Sequence, residues 1–151
     1  MFSNTDLLIQ EEIQNIDDLF DKYAMLIELG KQKEPDSVEG LALAALVHSF
    51  YNGVENIFLL ISKRIDSYTP NTATWHTELL IRMGKETDKR NTVLQETTLS
   101  DLQKYLNFRH FFRHCYSYQI DWLKLQPLVD DMQNTWGKVK NELEIFIKTI
   151  E

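Results

Sequence analysis

The spacing of the apolar residues restricts the folds that this chain can adopt more than any other feature of the sequence. In two long stretches they recur every three or four positions, which places them on one face of an α-helix. The sequence contains no sustained alternation of apolar and polar residues with a period of two, so no β-strand is predicted. The first stretch holds Ile9, Ile13, Ile16, Phe20, Tyr23 and Ile27, and the second holds Leu43, Val47, Phe50, Val54, Ile57 and Ile61. The sequence therefore predicts two long antiparallel helices packed through these faces.

Three further helices are expected. One covers residues 75–84, one begins at Ser100, where Gln103 completes a capping box, and one begins near Pro127, which suits a first helical turn. Asp36 and Glu39 form the corresponding capping box ahead of the second long helix. The predicted fold is all-α, an up-and-down bundle of four to five helices that forms a single domain over residues 1–151.

The net charge of −7 is concentrated near the N-terminus. Residues 1–40 hold ten acidic residues and three lysines, whereas the rest of the chain holds thirteen of each sign. Between residues 63 and 113 there are nine basic and six acidic residues. Because a local field decides what a cleft binds, the acidic N-terminal part does not exclude an anionic ligand elsewhere.

Several classes of protein are disfavoured by what the sequence lacks. No uninterrupted apolar run approaches the ~18–20 residues that span a bilayer, and residues 1–12 show no basic segment ahead of an apolar one, as a secretory signal would. A single cysteine, Cys115, forms neither an internal disulfide nor a cysteine-based zinc site. These features favour a soluble cytoplasmic protein that does not contact membranes.

Metal and cofactor chemistry is not expected either. His48 and His76 lack the glutamate three residues earlier that a di-metal helix bundle requires, and no glycine-rich phosphate loop is present. We interpret His48 as a packed, hydrogen-bonded core histidine and His76 as a surface or capping residue. Cys115 is interpreted as a small buried side chain, since free cysteine is among the most buried residue types.

One segment, YLNFRHFFRHCYSYQIDW at residues 105–122, combines aromatic and cationic side chains. At 100° per helical residue, one side would hold the apolar residues Phe108, Phe111, Phe112 and Cys115, which we expect in the core. The other side would form a cationic surface made of Arg109, His110, Arg113 and His114. Such a face is often only a solvated helix surface. Histidine, however, has an unperturbed pKa near 6.5 and can transfer protons at neutral pH.

This segment also carries a known motif. Arg109, four residues, His114, one residue and Tyr116 reproduce the R-x-x-x-x-H-x-Y signature of HEPN-domain ribonucleases. The chain resembles the HepT-type toxins that are paired with minimal nucleotidyltransferase (MNT) antitoxins. His110 agrees with the family's polar residue after the arginine, and the Ile-Asp pair at residues 120–121 agrees with the family's pattern after the tyrosine.

The resemblance implies a metal-independent, homodimeric endoribonuclease whose cleft is lined by Arg and His from both protomers. His114 would act as general base or acid, and Arg109 would hold the scissile phosphate and stabilise the charge of the transition state. The products would carry a 2′,3′-cyclic phosphate and a 5′-OH. His110 and Arg113 are expected to position the substrate, for which tRNA is the first candidate.

The resemblance also implies regulation through a tyrosine. In HepT-type systems the MNT antitoxin transfers AMP from ATP to the residue that corresponds to Tyr116. The added bulk and negative charge would block the cleft. If the resemblance holds, Tyr118, two residues on, would be a second site or a decoy. Glu55 either orients the cationic cluster or is an ordinary surface glutamate.

Two rival hypotheses remain open. The chain could be a non-catalytic helical-bundle binding partner of a nucleotidyltransferase or of another protein. It could also be a dimerisation module whose Arg/His face is an interface. RNA cleavage that depends on His114 would separate the first rival from the enzyme, and loss of assembly in Arg109→Ala would support the second.

Overall fold

Six α-helices, and no β-strand, are found in the computed structural model, which describes residues 3–151. The predicted all-α class is confirmed. Met1 and Phe2, which begin both the predicted domain and the stretch considered as a secretory signal, lie outside the described residues. The helices are α1 (Ser3–Lys22), α2 (Ala24–Gln32), α3 (Ser37–Leu60), α4 (Trp75–Met83), α5 (Glu96–His114) and α6 (Trp122–Ile150); a π-helical turn (Ile61–Ile65) continues α3, and a 3-10 turn (Ser117–Gln119) precedes α6.

The central helix is α3, which packs against each of the other five. The apolar residues predicted to share one face are all buried: Leu43, Val47, Phe50, Val54, Ile57 and Ile61. By length and composition alone, the stretch Ser37–Ile65 could cross a membrane, but 56% of its apolar window is buried inside the protein. The position of α3 in the core therefore accounts for its apolar character.

The single long N-terminal helix that the spacing predicts is divided at Tyr23, which is a turn residue with φ −110° and ψ 22°. This division is why six helices are found where four to five were expected. Its physical reason is a change of packing partner, because α1 lies mainly against α3 whereas α2 lies mainly against α6. The predicted apolar face is otherwise buried, at Ile9, Ile13, Ile16, Phe20 and Ile27.

The predicted capping box before α3 is confirmed. The Asp36 carboxylate accepts the Glu39 backbone N–H at 2.8 Å, and the Glu39 carboxylate accepts the Asp36 N–H at 3.0 Å. This reciprocal pair satisfies two backbone donors and defines where the helix begins.

The capping box predicted at Ser100 is wrong, since α5 already begins at Glu96. Its first turn is capped by a distant residue instead. Glu142 of α6 accepts hydrogen bonds from the Gln95 backbone N–H at 2.7 Å and from the Thr98 hydroxyl at 2.5 Å. A cap supplied from another helix leaves no local sequence pattern.

Pro127 lies inside α6 and not at its beginning. The helix begins at Trp122, and the Asp121 carboxylate caps it by accepting the Leu123 N–H at 3.0 Å. Proline has no N–H, so the carbonyl of Leu123 lacks its helical partner. Leu123 is exposed in the first turn, where water can satisfy that carbonyl.

A buried ionic cluster holds α4 in place. The Asp66 carboxylate, which follows the π-helical turn, accepts hydrogen bonds at 2.8–2.9 Å from Arg82 of α4 and from Arg90 in the connection to α5. The Arg90 and Asp66 side chains are fully buried. This cluster fixes the orientation of α4 relative to α3, and with it the position of the residues that begin α4.

Candidate functional site

The arginine of the R-x-x-x-x-H-x-Y motif is buried between α5 and α3. Only 11% of the Arg109 side chain is exposed. Its Nε–H donates to the Asn52 side-chain oxygen at 3.3 Å and lies 3.9 Å from a Glu55 carboxylate oxygen. The expectation that Arg109 belongs to a cationic surface is therefore wrong. An arginine in an apolar interface needs such partners, because a buried charge is stable only when it is paired and hydrogen-bonded.

Glu55 joins Arg109 to a third helix. Its other carboxylate oxygen lies 2.8 Å from Nδ1 of His76, the second residue of α4. The Glu55 side chain is only 6% exposed, so the surface-glutamate interpretation is wrong. His76 is half-buried, and its ring stacks on Trp75 with 3.6 Å between centroids. The interpretation of His76 as a plain surface or capping residue is also wrong. We call Asn52, Glu55, His76 and Arg109 the Arg109 cluster.

His48 lies beside this cluster, one turn before Asn52. Its Nδ1 is 3.4 Å from the Asn52 amide nitrogen, and its ring contacts Phe112 with 5.0 Å between centroids. Burial and the positive charges of Arg109 and Arg113 lower the pKa of His48 below its ordinary value of 6.5. Its Nε2 is buried with no hydrogen-bond partner in the described part of the chain. His48 is therefore a neutral histidine in a half-buried position, less well satisfied than the sequence suggested.

Tyr51 adds a second unusual group on α3. Its hydroxyl is buried and makes no hydrogen bond to any described residue. Burial, followed by the nearby Glu55 carboxylate, raises the pKa of Tyr51, so this phenol stays protonated. The hydroxyl is thus a donor without an acceptor, close to the Arg109 cluster.

The remaining cationic residues of the motif segment are exposed: His110, Arg113 and His114. Nδ1 of His114 lies 2.9 Å from the His110 carbonyl, and the two imidazole rings are 5.1 Å apart. Because a carbonyl can only accept, Nδ1 of His114 carries a proton. In the neutral ring Nε2 is then the basic nitrogen, at the exposed end of α5.

Arg109 and His114 have different surroundings on α5, because Arg109 is buried and His114 is exposed. Five residues along a helix amount to about 140° of rotation and about 7.5 Å of rise. No hydrogen bond joins the two side chains anywhere in residues 3–151. The arginine faces α3, whereas the histidine faces outward at the end of α5.

The tyrosines follow directly after α5. Tyr116 and Tyr118 are 70% and 82% exposed, and their rings lie parallel with 5.8 Å between centroids. The Tyr116 backbone N–H donates to the Gln119 side chain at 2.7 Å, which orders this turn. Exposure alone does not distinguish the two hydroxyls as acceptors for a modifying group.

The aromatic half of the segment packs less deeply than expected. Phe108, Phe112 and Cys115 are half-buried, and Phe111 is exposed. The expectation of a buried Cys115 and a fully buried aromatic face is therefore wrong. The Cys115 thiol lies 3.6 Å from the Phe112 carbonyl.

A cavity of about 480 Å³ lies on the other side of α5, towards α6. Its walls include Phe108, Phe111, Leu128, Lys104 and Lys124. Neither Arg109 nor His114 lines it. Within residues 3–151, no three His, Cys, Asp or Glu side chains lie together as metal ligands would.

Sequence reasoning missed Asn52 and the link from Glu55 to His76. The sequence held a signal for part of this cluster, because His48, Asn52 and Glu55 are polar residues at positions i, i+4 and i+7 of a largely apolar helix. That spacing places them on one stripe of α3. The partner of Glu55, 21 residues later, could not be read from any local pattern.

Comparisons with known proteins agree with the motif. Residues 42–150 match the family model described as HepT-like protein. This segment begins within α3 and includes the whole Arg109 cluster, His114 and Tyr116. No curated protein and no solved structure matches the chain. The match extends over most of the chain, and the protein belongs to the HepT-like family.

Proposed function

We propose that this protein is a metal-independent endoribonuclease toxin that cleaves RNA, with tRNA as the substrate to test first. Its family is of the HEPN nuclease type and suggests a role in a toxin–antitoxin system. One observation carries the proposal: the family motif pairs a buried, fixed arginine with a free, exposed histidine at the end of one helix. Because tRNA and ATP are cytoplasmic, we place the protein in the cytoplasm.

His114 is proposed as the group that moves protons. RNA supplies its own nucleophile, the 2′-OH, so the enzyme needs a base near that hydroxyl and an acid near the leaving oxygen. The contact between Nδ1 and the His110 carbonyl orients the ring and leaves Nε2 free for this exchange. General acid–base catalysis of this kind contributes typically 10²–10⁴-fold to a rate.

Arg109 is proposed to hold the scissile phosphate. Its Nε–H is directed towards α3, and no hydrogen bond to another described residue uses its two terminal nitrogens. These nitrogens form the outer edge of the planar guanidinium, which suits two phosphate oxygens. A guanidinium fixed in advance loses little freedom when the charge of the transition state develops. His110 and Arg113, both exposed, are proposed to position the RNA backbone.

A second copy of the chain is proposed to complete the site. Arg109 and His114 are separated by about 140° around α5, and no hydrogen bond joins them within residues 3–151, so we propose that the two act on one phosphate from different protomers. An exposed apolar strip on the N-terminal half of α3, made of Val38, Leu41 and Ala45, precedes His48 and supplies a surface for the homodimer. In that dimer, His114 of one protomer would work with Arg109 of its partner.

Regulation is proposed to occur at Tyr116 through a cognate MNT-type nucleotidyltransferase antitoxin. The Tyr116 hydroxyl is exposed two residues after His114, so an adenylyl group attached there would lie close to the proposed catalytic histidine. Its phosphodiester would repel the RNA backbone, and its bulk would occupy space that a nucleotide needs.

The proposal is tested by incubating purified protein with total tRNA in excess EDTA, beside His114→Ala prepared in the same way. We expect cleavage by the wild type alone, with products that end in a 2′,3′-cyclic phosphate. The mass of the Tyr116 peptide is measured first, because an adenylylated sample would be silent for another reason. Unmodified wild-type protein that leaves tRNA intact would contradict the proposal.

One observation favours the alternative, a non-catalytic binding partner of a nucleotidyltransferase. Arg109 already has an acidic partner in Glu55, and no hydrogen bond joins it to His114 within residues 3–151. An arginine engaged in this way could serve only to hold α3 against α5. On this alternative, Arg109→Ala would lower the free energy of unfolding, and the wild type would show no cleavage for any variant to lose.

A further inference from the structure

We infer that His76 is a positioning residue for Arg109, acting through Glu55. The inference rests on the proposed function for its effect on cleavage, although the geometry that supports it does not. His76 carries none of the motif positions, and it lies on a different helix from both Glu55 and Arg109. The three side chains form a continuous polar path across α4, α3 and α5.

The geometry makes His76 the main anchor of the Glu55 carboxylate. The 2.8 Å contact from Nδ1 is the only hydrogen bond to this carboxylate among residues 3–151. Arg109 lies 3.9 Å from the other oxygen, which is ion-pair distance but too long for a hydrogen bond. The rotamer of Glu55 is therefore set by His76, and the rotamer of Glu55 decides where the negative charge lies relative to Arg109.

His76 is itself held rigidly. Trp75 stacks on one face of its ring at 3.6 Å. The same helix is fixed further along by the ion pair between Arg82 and the buried Asp66 carboxylate. A donor held by its own helix in this way can orient a carboxylate on a neighbouring helix with little entropic cost.

Tyr51 also lies near Glu55 and Arg109, since the charges of both act on its hydroxyl. This buried hydroxyl, one turn earlier on α3, makes no hydrogen bond to any described residue. If the donor at His76 were removed, no hydrogen bond from the described residues would hold the Glu55 carboxylate in its present rotamer, and the Tyr51 hydroxyl would be an alternative donor. The position of the carboxylate charge relative to the Arg109 guanidinium would then no longer be fixed.

The test compares three variants. His76→Phe keeps an aromatic ring against Trp75 but removes the donor. His76→Asn places an amide N–H close to the position of Nδ1 and so restores the donor. Thr77→Ala changes the next residue of α4, which is exposed, and serves as the matched control.

The first measurement follows Arg109 directly and does not depend on nuclease activity. The Nε–H signal of Arg109 is recorded by ¹H–¹⁵N NMR and assigned by its loss in Arg109→Lys. We expect His76→Phe to shift this signal and to speed its exchange with water by about 10-fold, as burial and pairing weaken. In His76→Asn and Thr77→Ala the signal should stay near the wild-type position. An unchanged signal in His76→Phe would overturn the inference.

The second measurement is single-turnover cleavage of tRNA. We expect the rate to fall by about 10- to 100-fold in His76→Phe, because a small displacement of a substrate-binding group has effects of this size. His76→Asn should recover the rate to within about 5-fold, and the Kd for tRNA should change by less than about 3-fold. Equal losses in both variants would refute a positioning role. A wild type that does not cleave, with the NMR result as expected, would refute the proposed function and leave the positioning of Arg109 established.

Discussion

Neutralising Glu55 tests the physical basis of the Arg109 cluster without touching the motif. The substitution Glu55→Gln keeps the shape of the side chain and removes its negative charge. Arg109 would then remain buried between α5 and α3 with the Asn52 oxygen as an acceptor at 3.3 Å but with no carboxylate from the described residues paired with it. Removing one partner of a buried ion pair is destabilising because the other charge is left uncompensated.

The magnitude follows from the separation of the charges. Two unit charges 3.9 Å apart attract each other by about 4 kcal/mol at an effective dielectric constant of about 20. Part of this is offset, since the glutamine no longer bears the cost of desolvating a carboxylate. We expect the free energy of unfolding to fall by about 2 kcal/mol, which corresponds to a decrease in Tm of about 4–8 °C for a chain of this length.

The assay is urea unfolding followed by circular dichroism, with the slope m compared between variants. A change in the midpoint at constant m reports stability and not a change in the compactness of the unfolded chain. The matched control is Glu144→Gln on α6, an exposed glutamate for which we expect a change within about 0.5 kcal/mol. If Glu55→Gln were as stable as Glu144→Gln, the attraction between Glu55 and Arg109 would not stabilise the fold.

Three further predictions concern pH, assembly and modification. Folding lowers the pKa of His48 below 6.5, so as the pH falls the unfolded chain takes up this proton first, and the free energy of unfolding should decrease below about pH 6.5. The urea midpoints at pH 7.5 and 5.5 should therefore differ less in His48→Gln than in the wild type. An equal difference in the two proteins would refute the assignment to His48. Mixing inactive Arg109→Ala with inactive His114→Ala should restore part of the tRNA cleavage through mixed dimers, whereas a site contained in one protomer would give no recovery. In a reaction with the cognate nucleotidyltransferase and ATP, intact mass should show AMP incorporated into Tyr118→Phe but not into Tyr116→Phe. The reverse pattern would assign the acceptor to Tyr118.

The sequence was a sufficient guide to the helices whose signals are local. The apolar face of α3 and the capping box at Asp36 were predicted correctly, because both depend on residues three or four positions apart. The start of α5 was not, because its cap comes from Glu142, 47 residues after Gln95. The position of α4 depends in the same way on the buried pair between Asp66 and Arg90, which are 24 residues apart.

The candidate site also depends on contacts between residues that are far apart in the sequence. The motif located Arg109 and His114, but helical angles alone assigned both to one exposed face. Burial of Arg109 became favourable only because α3 presents an amide oxygen and a carboxylate at that point of the interface. Whether an arginine is exposed or buried thus depends on the residues that a neighbouring helix presents to it, and the periodicity of a single helix carries no information about those residues.

The acidic residues and the candidate site lie in different parts of the chain, which matters for the proposed binding of RNA. The acidic excess lies in residues 1–40, and the family match begins at residue 42, so the acidic part of the chain is outside the matched segment. Asp17 of α1 is directed at α6, where its carboxylate accepts hydrogen bonds from Trp136 at 2.8 Å and from Lys140 at 2.6 Å. The candidate site lies on α3, α4 and α5, where cationic side chains are exposed. Because the field at a site depends on nearby charges and is screened beyond about 8–10 Å, the charges within that distance of the candidate site, and not the net charge of −7, decide how strongly an anionic ligand is attracted to this face.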